Sequence, residues 1–153
     1  MIEIFTDGGC SGNPGPGAWA FLALRGKDEF HRASGAEKST TNNKMELTAV
    51  IRALEWAGGQ GAGTVTVSTD SQYVQLGISQ WILSWEKNDW KTKDKKPVKN
   101  KELWQSLREL DGQLRPRWLW VRGHAGDPRN EACDAMVQAE ISKLKKEIQK
   151  EGV

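Results

Sequence analysis

Four acidic residues occupy positions where the surrounding pattern predicts apolar side chains. Asp7 and Asp70 end two apolar runs typical of strands, IEIFTDG and TVTVSTD, and Glu46 and Asp134 fall on the apolar stripes of two predicted helices. Burying an ionised carboxylate without a partner costs several kcal/mol, so such a group is retained where a cation meets it. Carboxylate oxygens suit magnesium or manganese, and two such ions can hold a phosphoryl group during its transfer. The four acids therefore predict the chemistry of a phosphodiester nuclease.

Each acid also has a simpler interpretation when it is taken alone. Asp7 could be an ordinary residue at the end of a strand, and Asp70 could cap a helix that starts at Ser71. Glu46 and Asp134 could each form an ion pair with a lysine. Aspartate and glutamate are almost never fully buried without a partner, so these simpler interpretations require four separate exceptions. The metal-site hypothesis requires only that the four carboxylates meet at one place.

The elements that must position these acids can be read from the apolar pattern. The first three apolar runs alternate as strands do and are joined by a Gly/Pro loop and by a turn at residues 26–28, which predicts an antiparallel meander. A fourth strand ends at Asp70, and a fifth, WLWVRG, follows a turn at Arg115-Pro116. If the strands that carry Asp7 and Asp70 are parallel neighbours, both acids emerge at the same edge of the sheet.

Helices are expected between the later strands. NNKMELTAVIRALEWAGG has Thr41 or Asn42 as its cap and Gly58 as its stop, and DPRNEACDAMVQAEISKL begins with Asp127 as cap and Pro128 at the first helical position. The pattern continues beyond residue 143, and we expect fraying from about residue 145. The chain therefore predicts one α/β domain over residues 1–153, with a single mixed sheet flanked by helices.

Composition excludes several classes of protein. A chain of 153 residues suits one domain, and no run approaches the roughly 18 apolar residues of a membrane span. The sequence MIEIFTDGG has neither the basic region nor the apolar region of a signal peptide. Cys10 and Cys133 form no Cys-x-x-Cys pair, which fits a reducing cytosol and predicts a cytoplasmic protein, although a disulfide between them stays open.

The positive charge is concentrated in one segment. Between Glu86 and Lys101 there are seven lysines and three acids, a local charge of +4 in a chain whose net charge is +2. Four of the eight tryptophans, Trp81, Trp85, Trp90 and Trp104, lie in or beside this segment. Trp81 and Trp85 are one helical turn apart and share a face. The rings could form a small core beneath a long loop, or a surface for a nucleic-acid backbone together with the lysines, and both can hold.

Two further features carry weaker signals. The loop GCSGNPGPG does not match a dinucleotide or Walker motif and leads to a strand, so its glycines are expected to allow a close approach of backbone or sugar-phosphate. His124 lies in VRGHAGDPRN, just upstream of Asp134. It is either an ordinary polar surface residue or a group that moves protons near the acids, since an unperturbed histidine has a pKa of about 6.5.

The blocks FTDGGCSGNPGPGAW, TTNNKMELTAVIRAL, STDSQYV, QWILSWEKNDWKTKDKKPVKNKELW and RGHAGDPRNEACDAMVQ together resemble the bacterial type 1 ribonuclease H enzymes, in order, from about Ile2 to Gln138. The resemblance implies a ribonuclease H-like fold with a five-stranded mixed sheet, and a monomeric endonuclease that hydrolyses the RNA strand of RNA–DNA hybrids to 5′-phosphate and 3′-hydroxyl ends. It implies two Mg²⁺ ions, for which Mn²⁺ can substitute. Asp7 would bridge both ions, Asp134 would share the one that activates water, Glu46 and Asp70 would hold the other, and His124 would assist proton transfer or product release.

The resemblance also implies a set of substrate contacts. A basic, tryptophan-rich handle at about residues 81–101 would grip the hybrid through Trp81, Trp85, Lys87, Lys95, Lys96 and Lys99. Cys10, Asn13, Asn42, Asn43 and Gln72 would contact the minor groove or backbone, and Thr41 would form part of a pocket for a DNA phosphate. Short amides suit this role because a hybrid exposes 2′-hydroxyls in a wide, shallow minor groove.

Glu86-Lys87-Asn88 departs from the consecutive basic residues that such handles often carry, which predicts weaker or more salt-sensitive binding. Three other functions compete with hybrid hydrolysis. A junction resolvase or DNA exonuclease of the same superfamily would lack this combination of handle and TTNN block. A non-catalytic hybrid-binding module could lose an acid, yet all four are present. A metal-dependent phosphatase for small molecules would not need the tryptophan–lysine segment.

Overall fold

The computed structural model describes residues 1–61, 63–121 and 127–151, in which strands and helices form one mixed α/β structure. The strands are β1 (Ile2–Cys10), β2 (Gly15–Arg25), β3 (Asp28–Thr40), β4 (Val65–Thr69) and β5 (Arg117–Trp120). The helices are α1 (Asn42–Gly58), α2 (Gln72–Leu76), α3 (Ile82–Lys87), α4 (Lys101–Leu114) and α5 (Pro128–Glu151), and a π-helical segment, Gly77–Trp81, joins α2 to α3.

The five strands form a single sheet in the order β3-β2-β1-β4-β5. β1, β2 and β3 are an antiparallel meander, and β4 and β5 add to β1 in parallel. A parallel pair needs a crossover connection, and the segment that contains α1 supplies it between β1 and β4. The predicted α/β fold with one five-stranded mixed sheet is confirmed.

Local sequence signals account for the ends of these elements. Gly26, at φ +66°, turns the chain between β2 and β3. The Thr41 hydroxyl caps α1 by accepting the backbone N–H of Lys44 at 3.2 Å, so Thr41 rather than Asn42 is the cap. Asp127 accepts the backbone N–H of Arg129 at 2.9 Å at the start of α5, and this bond lowers the pKa of the Asp127 carboxyl.

The core lies on both faces of the sheet. On one face Ile4 and Val67 of the central strands pack against the α1 side chains Val50 and Leu54. On the other face Val137 and Ile141 of α5 pack against Ala18 and Ala20 of β2. Each large apolar side chain buried in this way contributes about 1.5–3 kcal/mol. The two helices therefore fix the sheet from opposite sides, and both reach the end of β1.

The far end of α5 stays helical to Glu151, whose carboxylate lies 2.9 Å from the ammonium group of Lys38 on β3. The expected fraying from about residue 145 stays a prediction, as does the boundary of one domain over residues 1–153. In the described parts of the chain, no helix has both the length and the apolar character that crossing a bilayer requires.

Candidate active site

Asp7 and Asp70 lie at the same edge of the sheet because β1 and β4 are parallel neighbours. Ile2 lies opposite Val65 and Phe5 lies opposite Ser68, and this register, continued by two residues, sets Asp7 opposite Asp70. Asp7 is the more buried of the two, at 8% exposure. The carboxyl ends of parallel strands are where α/β sheets place their sites. The structure thus brings together the two acids that the sequence singled out. Asp70 directly follows β4 as predicted, but Asp7 does not end its strand, because β1 continues to Cys10 by pairing with β2 after its pairing with β4 has stopped at Phe5.

Glu46 reaches this edge through a close contact between α1 and β1. A Cβ built on Gly8 would lie closer than 3.0 Å to the backbone N of Glu46 and to the carbonyl of Met45. Only a residue without a side chain permits that approach. Gly8 directly follows Asp7, so the backbone of Glu46 lies beside the first acid.

The carboxylate of Glu46 is held from two sides. The Ser71 hydroxyl donates to Oε2 of Glu46, and the Asn42 side-chain amide donates to Oε1 at 3.2 Å. Ser71 directly follows Asp70, so the contact joins α1 to the end of β4. Three of the four acids are therefore tied to one another through the residues next to them.

The alternative interpretation of Asp70 as a helix cap is wrong. The helix begins at Gln72, and its cap is Ser71, whose hydroxyl accepts the backbone N–H of Val74 at 3.1 Å. Serine is as good a cap as aspartate, so the helix does not need the carboxylate. Asp70 is thus not explained by helix capping.

Asp134 approaches from the other face of the sheet, on α5. Its neighbour Cys133 donates its thiol proton to the Phe5 carbonyl at 3.3 Å, and Val137 lies 3.3 Å from the Cβ position of Gly9. Asp134 is therefore carried between two residues that contact β1 on either side of Asp7. Burial, and secondarily the charge of Asp7, raises the pKa of Cys133 to about 12. Both cysteines are free thiols, so the disulfide left open by the sequence is not formed.

His124 lies outside the described residues, and its role stays a prediction. Within residues 1–61, 63–121 and 127–151, no group of three or more His, Cys, Asp or Glu side chains is arranged to hold a metal ion. The donor set nevertheless fits magnesium. All four predicted ligands are carboxylates, their elements meet at one sheet edge, and the Gly8 contact brings α1 to the required place.

The residues predicted to contact a substrate around the first loop are connected to each other. The side-chain amide oxygen of Asn13, Oδ1, accepts the backbone N–H of Asn42 at 3.2 Å. The Cys10 thiol lies 3.2 Å from the carbonyls of both Gly15 and Thr40. Thr41 caps α1 between them. Asn43 and Gln72 are exposed at the first residues of their helices, so the structure gathers most of this predicted set at the acid-bearing edge.

The tryptophans of the handle form a cluster of tilted rings beneath it. Trp85 lies 5.9 Å from both Trp81 and Trp90 and 5.5 Å from Trp104, measured between ring centroids. Trp104 is fully buried and belongs to the main core. The rings therefore pack beneath the loop as an extension of the main core, not as a small core of their own, and a contact between Trp81 or Trp85 and a substrate stays a prediction.

The lysines of the handle face solvent. Lys87, Lys95, Lys96 and Lys99 are all exposed. An open cleft of about 570 Å³ lies at the same loop, lined by Asn88, Asp89, Lys91, Thr92, Lys93 and Lys95. Glu86, where the handle departs from the expected basic run, lies 3.3 Å from Arg108 of α4. The acid therefore has a cationic neighbour on the protein surface, in a kind of pair that contributes little to stability.

Two residues important to this geometry, Gly8 and Ser71, were not identified from the sequence as functional. Gly8 directly follows Asp7, and Ser71 directly follows Asp70. The glycine pair after Asp7 was the one feature of the sequence that could have pointed to Gly8. The partner of each lies on α1, far away along the chain, so no local pattern could reveal it.

A mixed sheet with acidic residues on neighbouring parallel strands, approached by acid-bearing helices from both faces, is an arrangement that suits a phosphodiester nuclease. The RNase H family model matches residues 1–142, and the chain belongs to the RNase H family. Family membership makes the protein an endoribonuclease.

Curated relatives and solved structures agree with this assignment. The ribonuclease H of Treponema denticola is 51% identical over 94% of this chain and 98% of its own length, and that of Dechloromonas aromatica is 52% identical over 94% and 95%. LC9-RNase H1, a type 1 RNase H with the type 2 active-site motif, superimposes with a TM-score of 0.81 at 30% identity, covering 94% of this chain and 72% of that one. LC11-RNase H1, solved in complex with an RNA/DNA hybrid, gives 0.68 at 26% identity, with 94% and 98% covered.

Proposed function

We propose that this protein is an endonuclease that hydrolyses the RNA strand of RNA–DNA hybrids and leaves 5′-phosphate and 3′-hydroxyl ends. The observation that carries the proposal is the parallel register that sets Asp7 opposite Asp70, with Glu46 brought to the same place across Gly8. The relatives named ribonuclease H, and the neighbour solved with a hybrid, support the choice of substrate.

Asp7, Glu46, Asp70 and Asp134 would hold two Mg²⁺ ions, with Mn²⁺ as a substitute. When bound, these ions neutralise the charge of the scissile phosphate and activate the attacking water. Other residues of the chain orient the carboxylates: Gly8 sets the position of α1, and Ser71 and Asn42 hold the Glu46 side chain. His124 would assist proton transfer or product release.

Substrate binding is divided between two surfaces in this proposal. Cys10, Asn13, Thr41, Asn42, Asn43 and Gln72 would contact the hybrid near the acids, where their short side chains suit the shallow minor groove. Trp81, Trp85, Lys87, Lys95, Lys96 and Lys99 would hold it at the handle, by charge and by the exposed edges of the rings. The enzyme would act as a monomer in the cytoplasm, a compartment that suits its two free thiols.

The test is cleavage of four labelled duplexes with magnesium: RNA–DNA hybrid, double-stranded RNA, double-stranded DNA and a branched DNA junction. We expect cleavage of the RNA strand of the hybrid alone, with ends that a phosphatase treatment and a ligation assay identify. Asp70→Asn should be inactive, and Asp94→Asn, which removes the same charge from the handle loop, should remain active. Cleavage of the DNA duplex or the junction instead of the hybrid would refute the proposal.

A further inference from the structure

Ser71 makes more contacts than a helix cap requires. It is 4% exposed, and its hydroxyl oxygen accepts the backbone N–H of Val74 at 3.1 Å as the cap of α2. Its own backbone N–H donates to the Thr69 hydroxyl at 3.1 Å, and its carbonyl accepts the N–H of Gln75 at 3.1 Å. The serine is therefore fixed at the junction of β4 and α2.

The direction of its remaining hydrogen bond follows from the chemistry of a hydroxyl. A hydroxyl carries one proton and can accept through its lone pairs. The Val74 N–H binds a lone pair, so the proton is the group that meets Oε2 of Glu46. Capping uses only the oxygen, whereas the contact with Glu46 uses only the proton.

The other contacts of Glu46 show what this proton adds. The backbone of Glu46 is set by the close approach to Gly8, and Oε1 accepts the Asn42 amide at 3.2 Å. Asn42 lies on the same helix as Glu46, one turn earlier. Ser71 is on a different element, so its hydroxyl ties the carboxylate to the connection that carries Asp70.

We propose that Ser71 is a positioning residue, whose hydroxyl proton holds the Glu46 carboxylate in the orientation that metal binding beside Asp70 requires. This inference rests on the proposed function, because it takes Glu46 and Asp70 as ligands. It assigns Ser71 no contact with substrate or with the reacting atoms. Hydrogen-bond partners of metal ligands typically affect metal affinity by about 10–100-fold, and we expect an effect in that range.

The test separates positioning from capping by comparing three substitutions of Ser71. Ser71→Ala removes both the cap and the proton. Ser71→Gly also removes the proton but costs the cap only a few tenths of a kcal/mol, and Ser71→Thr keeps both. Ser79→Ala is the matched control, since the Ser79 hydroxyl donates to the Gln75 carbonyl at 2.7 Å on an exposed turn nearby.

The first measurement is the Mg²⁺ concentration that half-saturates the protein without any substrate, fitted from the rise of the melting temperature with Mg²⁺ concentration. The second is the Mg²⁺ concentration for half-maximal hybrid cleavage. We expect Ser71→Ala and Ser71→Gly to raise both concentrations about tenfold or more, and Ser71→Thr and Ser79→Ala to leave them at the wild-type values.

If Ser71→Ala or Ser71→Gly lowers the melting temperature in chelator but keeps the wild-type Mg²⁺ midpoints, Ser71 is only a cap and the inference is wrong. If neither variant folds while Ser71→Thr does, the hydroxyl is required for the fold itself, and the inference of a positioning role is also wrong. Failure of the proposed function is distinguishable, because the wild-type protein would then leave the hybrid intact while the substrate-free Mg²⁺ titration still reports on Ser71.

Discussion

The acid-bearing edge of the sheet and the handle are built in opposite ways. At the edge, helices lie directly against glycines of β1: the backbone of the first turn of α1 meets Gly8, and the Val137 side chain of α5 packs beside Gly9. In the handle, a loop with four residues at positive φ, Asp89, Trp90, Lys95 and Asn100, rests on a cluster of tilted aromatic rings. The edge is thus positioned by regular elements in direct contact, and the handle by side chains packed beneath it.

This difference matches the precision that each task requires. Metal ligands must be held within about 0.5 Å of their working geometry, which strands and helices achieve better than loops. Attraction of a phosphate backbone by lysines depends on charge and tolerates movement. We therefore expect changes at the edge to affect the rate of cleavage and changes in the handle to affect binding.

The largest effect is expected from removing one ligand. Asp7→Asn and Asp70→Asn should each reduce hybrid cleavage with magnesium by more than about 100-fold, because loss of even an outer partner of a ligand costs about 10–100-fold. Circular dichroism should show both variants folded. Substantial cleavage by either one would refute the assignment of the acids as a metal site.

A second pair of substitutions compares the two regions through their glycines. Gly8→Ala places a Cβ closer than 3.0 Å to the backbone of α1, and Gly77→Ala places one equally close to the buried Trp104 ring. Both should lose about 1–3 kcal/mol of unfolding free energy, measured by denaturant titration. Gly8→Ala should mainly lower kcat, and Gly77→Ala should mainly raise KM for the hybrid.

Gly112→Ala is the control for both, since nothing lies within 4 Å of its Cβ position in α4. Alanine there should stabilise the protein by about 1 kcal/mol and leave both kinetic constants unchanged. If Gly8→Ala and Gly77→Ala instead alter kcat and KM in the same proportion, the inference that the edge governs the rate of cleavage and the handle governs binding is wrong.

The handle lysines should act on binding alone. Replacing Lys87, Lys95, Lys96 and Lys99 with alanine should raise KM and flatten the salt dependence of hybrid affinity, since each lost phosphate contact removes about 0.9 from the log–log slope. The rate at saturating hybrid should change little. Replacing Lys143, Lys145, Lys146 and Lys150, exposed on α5, removes the same charge and serves as the control. An unchanged slope in the handle variant would identify its lysines as a solvated surface only.

The smallest effect is expected on stability without metal. Neighbouring carboxylates repel one another, so Asp7→Asn should raise the melting temperature in chelator by about 2–4 °C, which corresponds to about 1 kcal/mol in a chain of this size. Magnesium should reduce the difference in melting temperature between Asp7→Asn and the wild type, because it binds the native wild-type protein. A lower melting temperature of Asp7→Asn in chelator would show that the acid is structural.

The strands and the starts of α1 and α5 could be predicted because their signals are local, whereas the role of the four acids stays a prediction. Apolar alternation marked β1 and β4, and Asp127-Pro128 marked the start of α5. The register that sets Asp7 opposite Asp70 could be stated only as a condition, since parallel pairing across an α1 crossover depends on contacts distant in sequence. Ser71 was missed for the same reason, because its partner Glu46 lies 25 residues away.

The tryptophans show where composition is ambiguous. Aromatic residues among lysines are typical both of a nucleic-acid surface and of a core beneath a loop. The structure resolves the packing, with Trp104 fully buried and Gly77 admitting its ring. A residue type alone cannot predict which face of a ring is covered, because that depends on the tertiary position of α4.

The distribution of the acids along the chain has a consequence for synthesis. β1 is made first, but Asp134 is carried on α5, the last element of the described chain, which packs on β1 through Cys133 and Val137. The set of four acids is therefore completed only after α5 has left the ribosome and docked. Under the proposed function, a nascent chain that still lacks α5 has an incomplete set of metal ligands and would not yet cleave nucleic acid.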